Sequence, residues 1–86
     1  MYRAIVTIKL KKGVLNPEGR TILRALNFLG YREVKDVDTF KCIELLIEDD
    51  DGGDRDRVLE RVEEMCRRLL TNPVIHDYDI EVENVE

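Results

Sequence analysis

The sequence predicts an α+β fold, a two-layer sandwich in which two helices cover one face of an antiparallel sheet. Three observations support this prediction. Stretches near both ends of the chain alternate apolar and polar residues, which is the period of a β-strand. Two stretches place apolar residues three and four apart, which is the period of an amphipathic helix. At 86 residues, the chain suits a single domain, residues 1–86.

The first predicted strand covers residues 2–10. Its apolar face is formed by Tyr2, Ala4, Val6, Ile8 and Leu10. Successive side chains of a strand point to opposite faces, so Ile5 falls among polar residues on the other face. That second face is therefore not purely polar.

The first predicted helix begins at Pro17 and ends at Gly30. Asn16 is a good N-cap, Pro17 suits the first helical position, and the Glu18 carboxylate favours the positive end of the helix dipole. Gly30 suits the position that ends a helix. The apolar stripe is formed by Ile22, Leu23, Leu26 and Leu29.

Residues 31–48 are predicted to form two strands joined by a turn near residues 38–41. The first strand is marked by Tyr31, Val34 and Val37, and the second, more clearly, by Ile43, Leu45 and Ile47. Cys42 and Leu46 lie on the other face of the second strand, because they are one residue out of phase with its apolar set.

Residues 48–54 combine clustered acids with Gly52 and Gly53, which predicts a loop. An EF-hand calcium site needs a glutamate at its twelfth position, which this run lacks, so we expect no metal there. Asp54 can cap a second helix that runs to about Leu70. The apolar face of that helix is formed by Val58, Val62, Met65, Cys66 and Leu69.

Asn72-Pro73 ends the second helix, because a residue before proline avoids the helical conformation. A last strand follows, with Tyr78, Ile80 and Val82 on one face and Asp79, Glu81 and Glu83 on the other. The resulting order is βαββαβ. We therefore expect a ferredoxin-like sandwich, with a four-stranded antiparallel sheet and two helices on one face.

The uncovered face of that sheet is expected to mediate self-association. It carries Ile5, Cys42 and Leu46, and Phe28 projects from the flank of the first helix. Exposed apolar patches on small domains usually mark contacts. A short chain also gains buried apolar surface by pairing with a second copy, so we expect a homodimer or a tetramer.

The chain offers little for catalysis. It contains no serine, and on a strand its single histidine, His76, would point away from the neighbouring Asp77. Cys42 and Cys66 are expected to be reduced, buried thiols, because neither flank would lower a thiol pKa. A single histidine without a Cys-x-x-Cys spacing argues against zinc. We expect no catalytic residue, cofactor or metal in this chain.

The charge balance narrows the choice of partners. The net charge is −5, with 19 acidic and 14 basic residues. Nucleic acids and anionic membranes select basic surfaces, so neither is an expected partner. No apolar run approaches the ~20 residues that span a bilayer. Without a leader-like segment, the chain is expected to be cytoplasmic.

Three segments of the chain resemble one protein family. They are residues 10–19 (LKKGVLNPEG), 25–31 (ALNFLGY) and 65–78 (MCRRLLTNPVIHDY). In this order and at this spacing they are similar to the PurS subunits of phosphoribosylformylglycinamidine synthase, from purine biosynthesis. The resemblance covers nearly the whole chain and includes its length and element order.

The resemblance implies a non-catalytic subunit of an ATP- and glutamine-dependent ligase. In that family's complex, a large synthetase subunit uses ATP and Mg²⁺ to phosphorylate the amide oxygen of formylglycinamide ribonucleotide. A glutaminase subunit releases ammonia. The small subunit is expected to bridge these two partners and to help ammonia pass. The motif positions that become candidate partner contacts are Asn16, Pro17, Glu18, Gly19, Asn72, Pro73 and Asp77.

Two other interpretations stay open. An amino-acid-binding regulatory domain of the ACT kind has the same element order. Its ligand would bind near the first loop and helix and would raise the melting temperature. A stand-alone enzyme would instead require steady turnover by the pure chain.

Overall fold

The computed structural model describes residues 1–48 and 54–85. In chain order it contains β1 (Tyr2–Leu10), α1 (Pro17–Phe28), β2 (Lys41–Ile47), α2 (Arg55–Met65) and β3 (His76–Asn84). A π-helical turn, Cys66–Leu70, continues α2 and ends where the Thr71 amide donates to the Cys66 carbonyl over 2.9 Å. The chain has an α+β fold, as predicted.

The described sheet has three strands in the order β2-β1-β3, and both pairings are antiparallel. Ala4 in the central strand lies between Leu45 of β2 and Val82 of β3. This register gathers the apolar residues of the strands on one face, which we call the inner face. The opposite side, the open face, carries Arg3, Ile5, Thr7, Lys9, Cys42, Glu44, Leu46, Asp77, Asp79, Glu81 and Glu83.

The core lies between the inner face and α2. Val58, Val62 and Cys66 of the helical segment are buried together with residues of β1 and β3. The buried strand residues are Tyr2, Ala4, Val6, Ile8 and Val82. Full burial of a valine-sized side chain contributes about 2 kcal/mol, so this helix-on-sheet contact is the main hydrophobic stabilisation of the described fold.

The structure corrects the predicted four-stranded sheet, because residues 31–40 contain no strand. Tyr31, Val34 and Val37 are three residues apart, so on a strand they would alternate between the two faces instead of sharing one. This segment instead runs beside α1, where Gly19 is packed against the backbone of Val37.

Only α2 covers the sheet, whereas both helices were predicted to do so. Among the described residues, α1 makes no substantial contact with the strands or with α2. The absent fourth strand explains the difference, because it would have extended the sheet beyond β2 and given α1 a surface to pack on. The molecule is consequently elongated, at 55 × 29 × 14 Å. The inner-face residues of β2 stay half-buried: Ile43, Leu45 and Ile47.

The helix ends agree with the sequence. The Asn16 and Asp54 side chains each accept a hydrogen bond from a backbone amide three residues on, at 3.0 and 2.9 Å. Gly30 has a φ of +104°, and the Tyr31 amide donates to the Leu26 carbonyl over 2.9 Å. This is the left-handed glycine termination common at helix C-termini.

The two thiols differ in exposure. Cys66 is buried, as predicted, and burial raises the pKa of its thiol, with the Glu63 carboxylate adding to the rise. Cys42 is exposed, which corrects the prediction of two buried thiols. It lies on the open face because it is out of phase with the inner-face residues of β2. Residues 49–53 of the predicted acidic loop lie outside the described residues.

Candidate partner-binding surfaces

The two motif-bearing turns lie side by side at one end of the sheet. Leu10 at the end of β1 is opposite His76 at the start of β3. The Lys11 amide donates to the Ile75 carbonyl over 2.8 Å, which joins the turn after β1 to the turn before β3. We call the surface formed by residues 11–19 and 69–77 the turn patch.

The first turn is organised by Asn16. Its Oδ1 accepts a hydrogen bond from the Gly19 amide at 3.0 Å and another from the Thr39 hydroxyl at 3.2 Å. Gly19 is buried, and a β-carbon there would overlap the Val37 carbonyl oxygen. Asn16 and Gly19 therefore have structural roles that need no partner.

The second turn is organised by Asn72. Its Oδ1 accepts from the Val74 amide at 3.0 Å, and its carbonyl accepts from the His76 amide at 2.8 Å. The Asn72 amide donates in turn to Nδ1 of His76 over 2.9 Å. His76 consequently closes a turn, with its Nδ1 accepting a hydrogen bond from the backbone.

Four other candidate residues of the turn patch are exposed: Pro17, Glu18, Pro73 and Asp77. Within the described part of the chain, neither the Glu18 nor the Asp77 carboxylate has an ion-pair partner. Leu69 and Val74 of the same patch are 82% and 80% exposed. Large apolar side chains beside unpaired polar groups are typical of a contact surface.

A shallow cleft beside the turn patch mixes opposite charges. Its lining includes three lysines and three aspartates: Lys9, Lys11, Lys12, Asp36, Asp38 and Asp77. Among residues 1–48 and 54–85 no group of three or more His, Cys, Asp or Glu side chains could hold a metal ion. The Thr39 hydroxyl in the cleft donates to Oδ1 of Asn16 and not to a carboxylate, so the lining fits protein contact better than catalysis.

Helix α1 presents a second apolar surface. Leu29 is 69% exposed, and Ile22, nearly two turns earlier on the same side of the helix, is also exposed. Phe28 is 91% exposed but lies about 100° around the helix from Leu29. Ile22 and Leu29 belong to the apolar stripe that was predicted to face the sheet. Their exposure follows from the displacement of α1 and leaves a helix whose apolar face is only partly buried, since Leu23 and Leu26 are half-buried.

The structure separates the self-association candidates. Ile5, Cys42 and Leu46 share the open face, as predicted, and Leu46 is 64% exposed. Phe28 lies on α1, apart from them. The exposed apolar residues Leu69 and Val74 were not predicted as contacts, although an apolar residue directly beside the Asn72-Pro73 turn was a usable signal.

Comparison with known proteins identifies relatives of this chain. A family model described as "PurS: Phosphoribosylformylglycinamidine (FGAM) synthase" matches residues 3–84. The Methanocaldococcus jannaschii protein named "Phosphoribosylformylglycinamidine synthase subunit PurS" is 63% identical over 86 residues, which is 100% of both chains.

Solved structures agree as well. The crystal structure of Methanocaldococcus jannaschii PurS, described as one of the subunits of formylglycinamide ribonucleotide amidotransferase, matches with a TM-score of 0.88. Its identity is 62%, with 100% of both chains covered. A chain in the structure of PurLQS from Thermotoga maritima matches with a TM-score of 0.81 at 26% identity, covering 96% of this chain and 99% of that one.

Neither helix in the described part of the chain is long and apolar enough to cross a membrane. The family match extends over both turns of the turn patch, over β1 from its second residue, and over the whole of β2 and β3. The resemblance inferred from the three sequence segments is thus confirmed, and this chain belongs to the PurS family of phosphoribosylformylglycinamidine synthase subunits.

Proposed function

We propose that this chain is a non-catalytic bridging subunit of phosphoribosylformylglycinamidine synthase in purine biosynthesis. It holds the glutaminase subunit against the ATP-dependent synthetase subunit and helps ammonia to pass between them in the cytoplasm. The single observation that carries the proposal is the turn patch, where exposed apolar and unpaired acidic side chains surround two rigid turns. A regulatory domain of the ACT kind is not favoured, because the family match covers residues 3–84.

The reaction explains why such a subunit is needed. ATP phosphorylates the amide oxygen of formylglycinamide ribonucleotide, and ammonia from glutamine then displaces phosphate to give the amidine. In neutral water most ammonia is protonated and has no lone pair for attack. A water-excluding route between the two active sites keeps it reactive. Holding the two partners in register supplies positioning rather than bond-making.

ATP and Mg²⁺ belong to the synthetase subunit in this proposal, and the chain itself needs no cofactor. Its contribution comes from rigid elements. The turn patch is fixed by the hydrogen bonds that the Asn16 and Asn72 side chains accept and by the backbone bond between Lys11 and Ile75. A preformed surface of this kind loses little conformational entropy when it binds.

Reconstitution with the two partner subunits tests the bridging role. Without this chain, synthesis from glutamine should fall to near zero, while synthesis from a high concentration of ammonium salt should persist. The double variant Glu18→Lys/Asp77→Lys should likewise lose synthesis from glutamine and keep synthesis from ammonium salt. Glu33→Lys/Glu60→Lys, which changes two exposed acids elsewhere by the same charge, is the control and should behave like wild type. Equal loss with both nitrogen sources would contradict the proposal.

We also propose that the chain self-associates through α1, as a dimer or as a pair of dimers. The exposed apolar residues of α1 match the half-covered inner face of β2, which lacks a helix over Ile43, Leu45 and Ile47. The α1 helix of a second copy would bury both surfaces. Burying Leu29, which is 69% exposed, would alone contribute about 2 kcal/mol.

A further inference from the structure

The open face of the sheet carries an uneven distribution of charge. Strand β3 places four carboxylates in one row on this face: Asp77, Asp79, Glu81 and Glu83. Neighbours in the row are about 7 Å apart, because a strand advances about 3.4 Å per residue. Glu44 of β2 adds a fifth carboxylate, against the two cations Arg3 and Lys9. The face therefore has a net charge of −3.

Both cations of the open face are already engaged. Nε of Arg3 lies 2.9 Å from Oε1 of Glu44, and its Nη1 lies 2.8 Å from Oε1 of Glu83. Nζ of Lys9 is 5.9 Å from the centroid of the Phe40 ring, which is cation–π distance. Arg3 thus neutralises only one end of the acidic row.

The middle of the row has no counter-charge. Among the described residues, Asp79 and Glu81 have no cation within ion-pair distance. Glu81 lies directly opposite Ile5 in the register, and Leu46 on the other edge strand is 64% exposed. An apolar centre beside a charged rim is the usual anatomy of a protein–protein interface.

The sign of the charge identifies the kind of partner. A second copy would bring an identical acidic face, and like charges placed opposite each other cost several kcal/mol. Nucleic acids and anionic lipids are repelled for the same reason. A protein surface with lysine or arginine side chains would neutralise Asp79 and Glu81 and steer the encounter.

We propose that the open face binds a basic protein surface, which places cationic side chains over Asp79 and Glu81 and an apolar side chain over Ile5. This inference rests on the proposed function, because the basic surface then belongs to one of the two partner subunits. The turn patch and the open face adjoin at Asp77, so one partner can contact both. The exposed apolar face of α1 stays available for self-association.

Charge reversal in the middle of the row tests this proposal. Asp79→Lys/Glu81→Lys should weaken binding to the basic partner on the order of tenfold at low salt and remove most of the salt dependence of the association rate. Asp79→Asn/Glu81→Gln should give a smaller loss. The control Glu33→Lys/Glu60→Lys makes the same change in net charge away from the open face. Affinities for the glutaminase and synthetase subunits are measured separately, after unfolding curves establish that each variant folds.

The outcomes separate the two proposals. If the wild-type chain binds neither subunit, the bridging function itself fails. If it binds, and the open-face variant binds as tightly as the control, the inference about the open face fails alone. If both double variants weaken partner binding equally, net charge and not a defined surface steers the association. This result also overturns the inference about the open face. A changed oligomer mass with unchanged partner binding would assign the face to contact between copies instead.

Discussion

Gly19 lies directly against the carbonyl oxygen of Val37, so closely that a β-carbon at Gly19 would overlap that oxygen. This contact joins α1 to residues 31–40. Thr39 of the same segment donates its hydroxyl proton to Oδ1 of Asn16 over 3.2 Å. α1 and the segment that follows it therefore form one unit, whose geometry depends on a glycine and a helix cap.

Replacing Gly19 by alanine should destabilise the chain. The added methyl group must push α1 away from Val37, and overpacking of this kind typically costs about 1–3 kcal/mol. At an unhindered helix position the same substitution would stabilise by up to about 1 kcal/mol, so the sign of the effect is diagnostic. Urea unfolding measures it. Arg20→Ala, one residue on and exposed, is the control and should change stability by less than about 0.5 kcal/mol. A Gly19→Ala protein as stable as this control would argue against the close approach.

The Asn16 side chain should contribute to stability only through Oδ1, the atom that accepts both hydrogen bonds. Asn16→Ala removes the acceptor for Gly19 and Thr39 and should cost about 1 kcal/mol. Asn16→Asp keeps an acceptor oxygen and adds a negative charge at the helix N-terminus, where it is favourable. The aspartate variant should therefore melt close to wild type and the alanine variant below it. Equal melting temperatures for the two variants would show that the cap has no measurable role.

Much of this fold can be predicted from the alternation of apolar and polar residues and from the residues that begin and end helices. The inner faces of β1 and β3 follow from their period of two, and Asn16, Gly30 and Asp54 mark helix ends by residue chemistry alone. These features depend on neighbours in sequence. For the same reason the alternation of β1 and β2 was sufficient to place Ile5 and Leu46 on the open face.

The features that were predicted wrongly have one local cause and one long-range cause. Tyr31, Val34 and Val37 suggested a strand by composition, but their spacing of three cannot supply one apolar face. Without that strand α1 has no sheet surface to pack on. An amphipathic stripe in a sequence does not show whether the same chain or another molecule will cover it. The sequence also did not predict that the two turns of the turn patch lie side by side, because their proximity depends on the pairing of Leu10 with His76.

Arg3 should stabilise the sheet modestly and in a salt-dependent way. It joins Glu44 and Glu83 across all three strands, but its side chain is 40% exposed and both glutamates are 61% exposed. Solvent screening limits such contacts to about 1 kcal/mol or less. Arg3→Met should lower stability by this amount at low salt and by less at high salt, as measured by urea unfolding. Arg32→Met, at an exposed position outside the sheet, is the control. A loss that does not shrink with salt would point to packing of the side chain instead.

The two thiols should react at very different rates. Cys42 is exposed, whereas Cys66 is buried and burial raises the pKa of its thiol, so Cys66 forms less of the reactive thiolate at any given pH. A thiol reagent should modify one site in the folded chain and both after denaturation, as read by mass spectrometry. Cys42→Ala should abolish the fast reaction and leave the slow one. Fast labelling that persists in this variant would show that Cys66 becomes accessible without global unfolding.

Two glutamate substitutions distinguish the surfaces available for self-association. Leu29→Glu places a charge on the apolar face of α1, and Leu46→Glu adds one to the open face. Both side chains are mostly exposed, so neither change should disturb the core, and circular dichroism should be unchanged. Leu46 was predicted from the sequence to mediate self-association, and on that prediction Leu46→Glu lowers the oligomer mass.

The charge pattern of the structure favours a different result. An open face that already carries five carboxylates should not pair with its own copy, so Leu46→Glu should leave the mass measured by light scattering unchanged. Leu29→Glu should reduce the mass toward that of a single chain, because a charge buried without a partner costs several kcal/mol. If only Leu46→Glu reduces the oligomer mass, self-association uses the open face and not α1. The basic partner inferred for that face would then lose its binding surface.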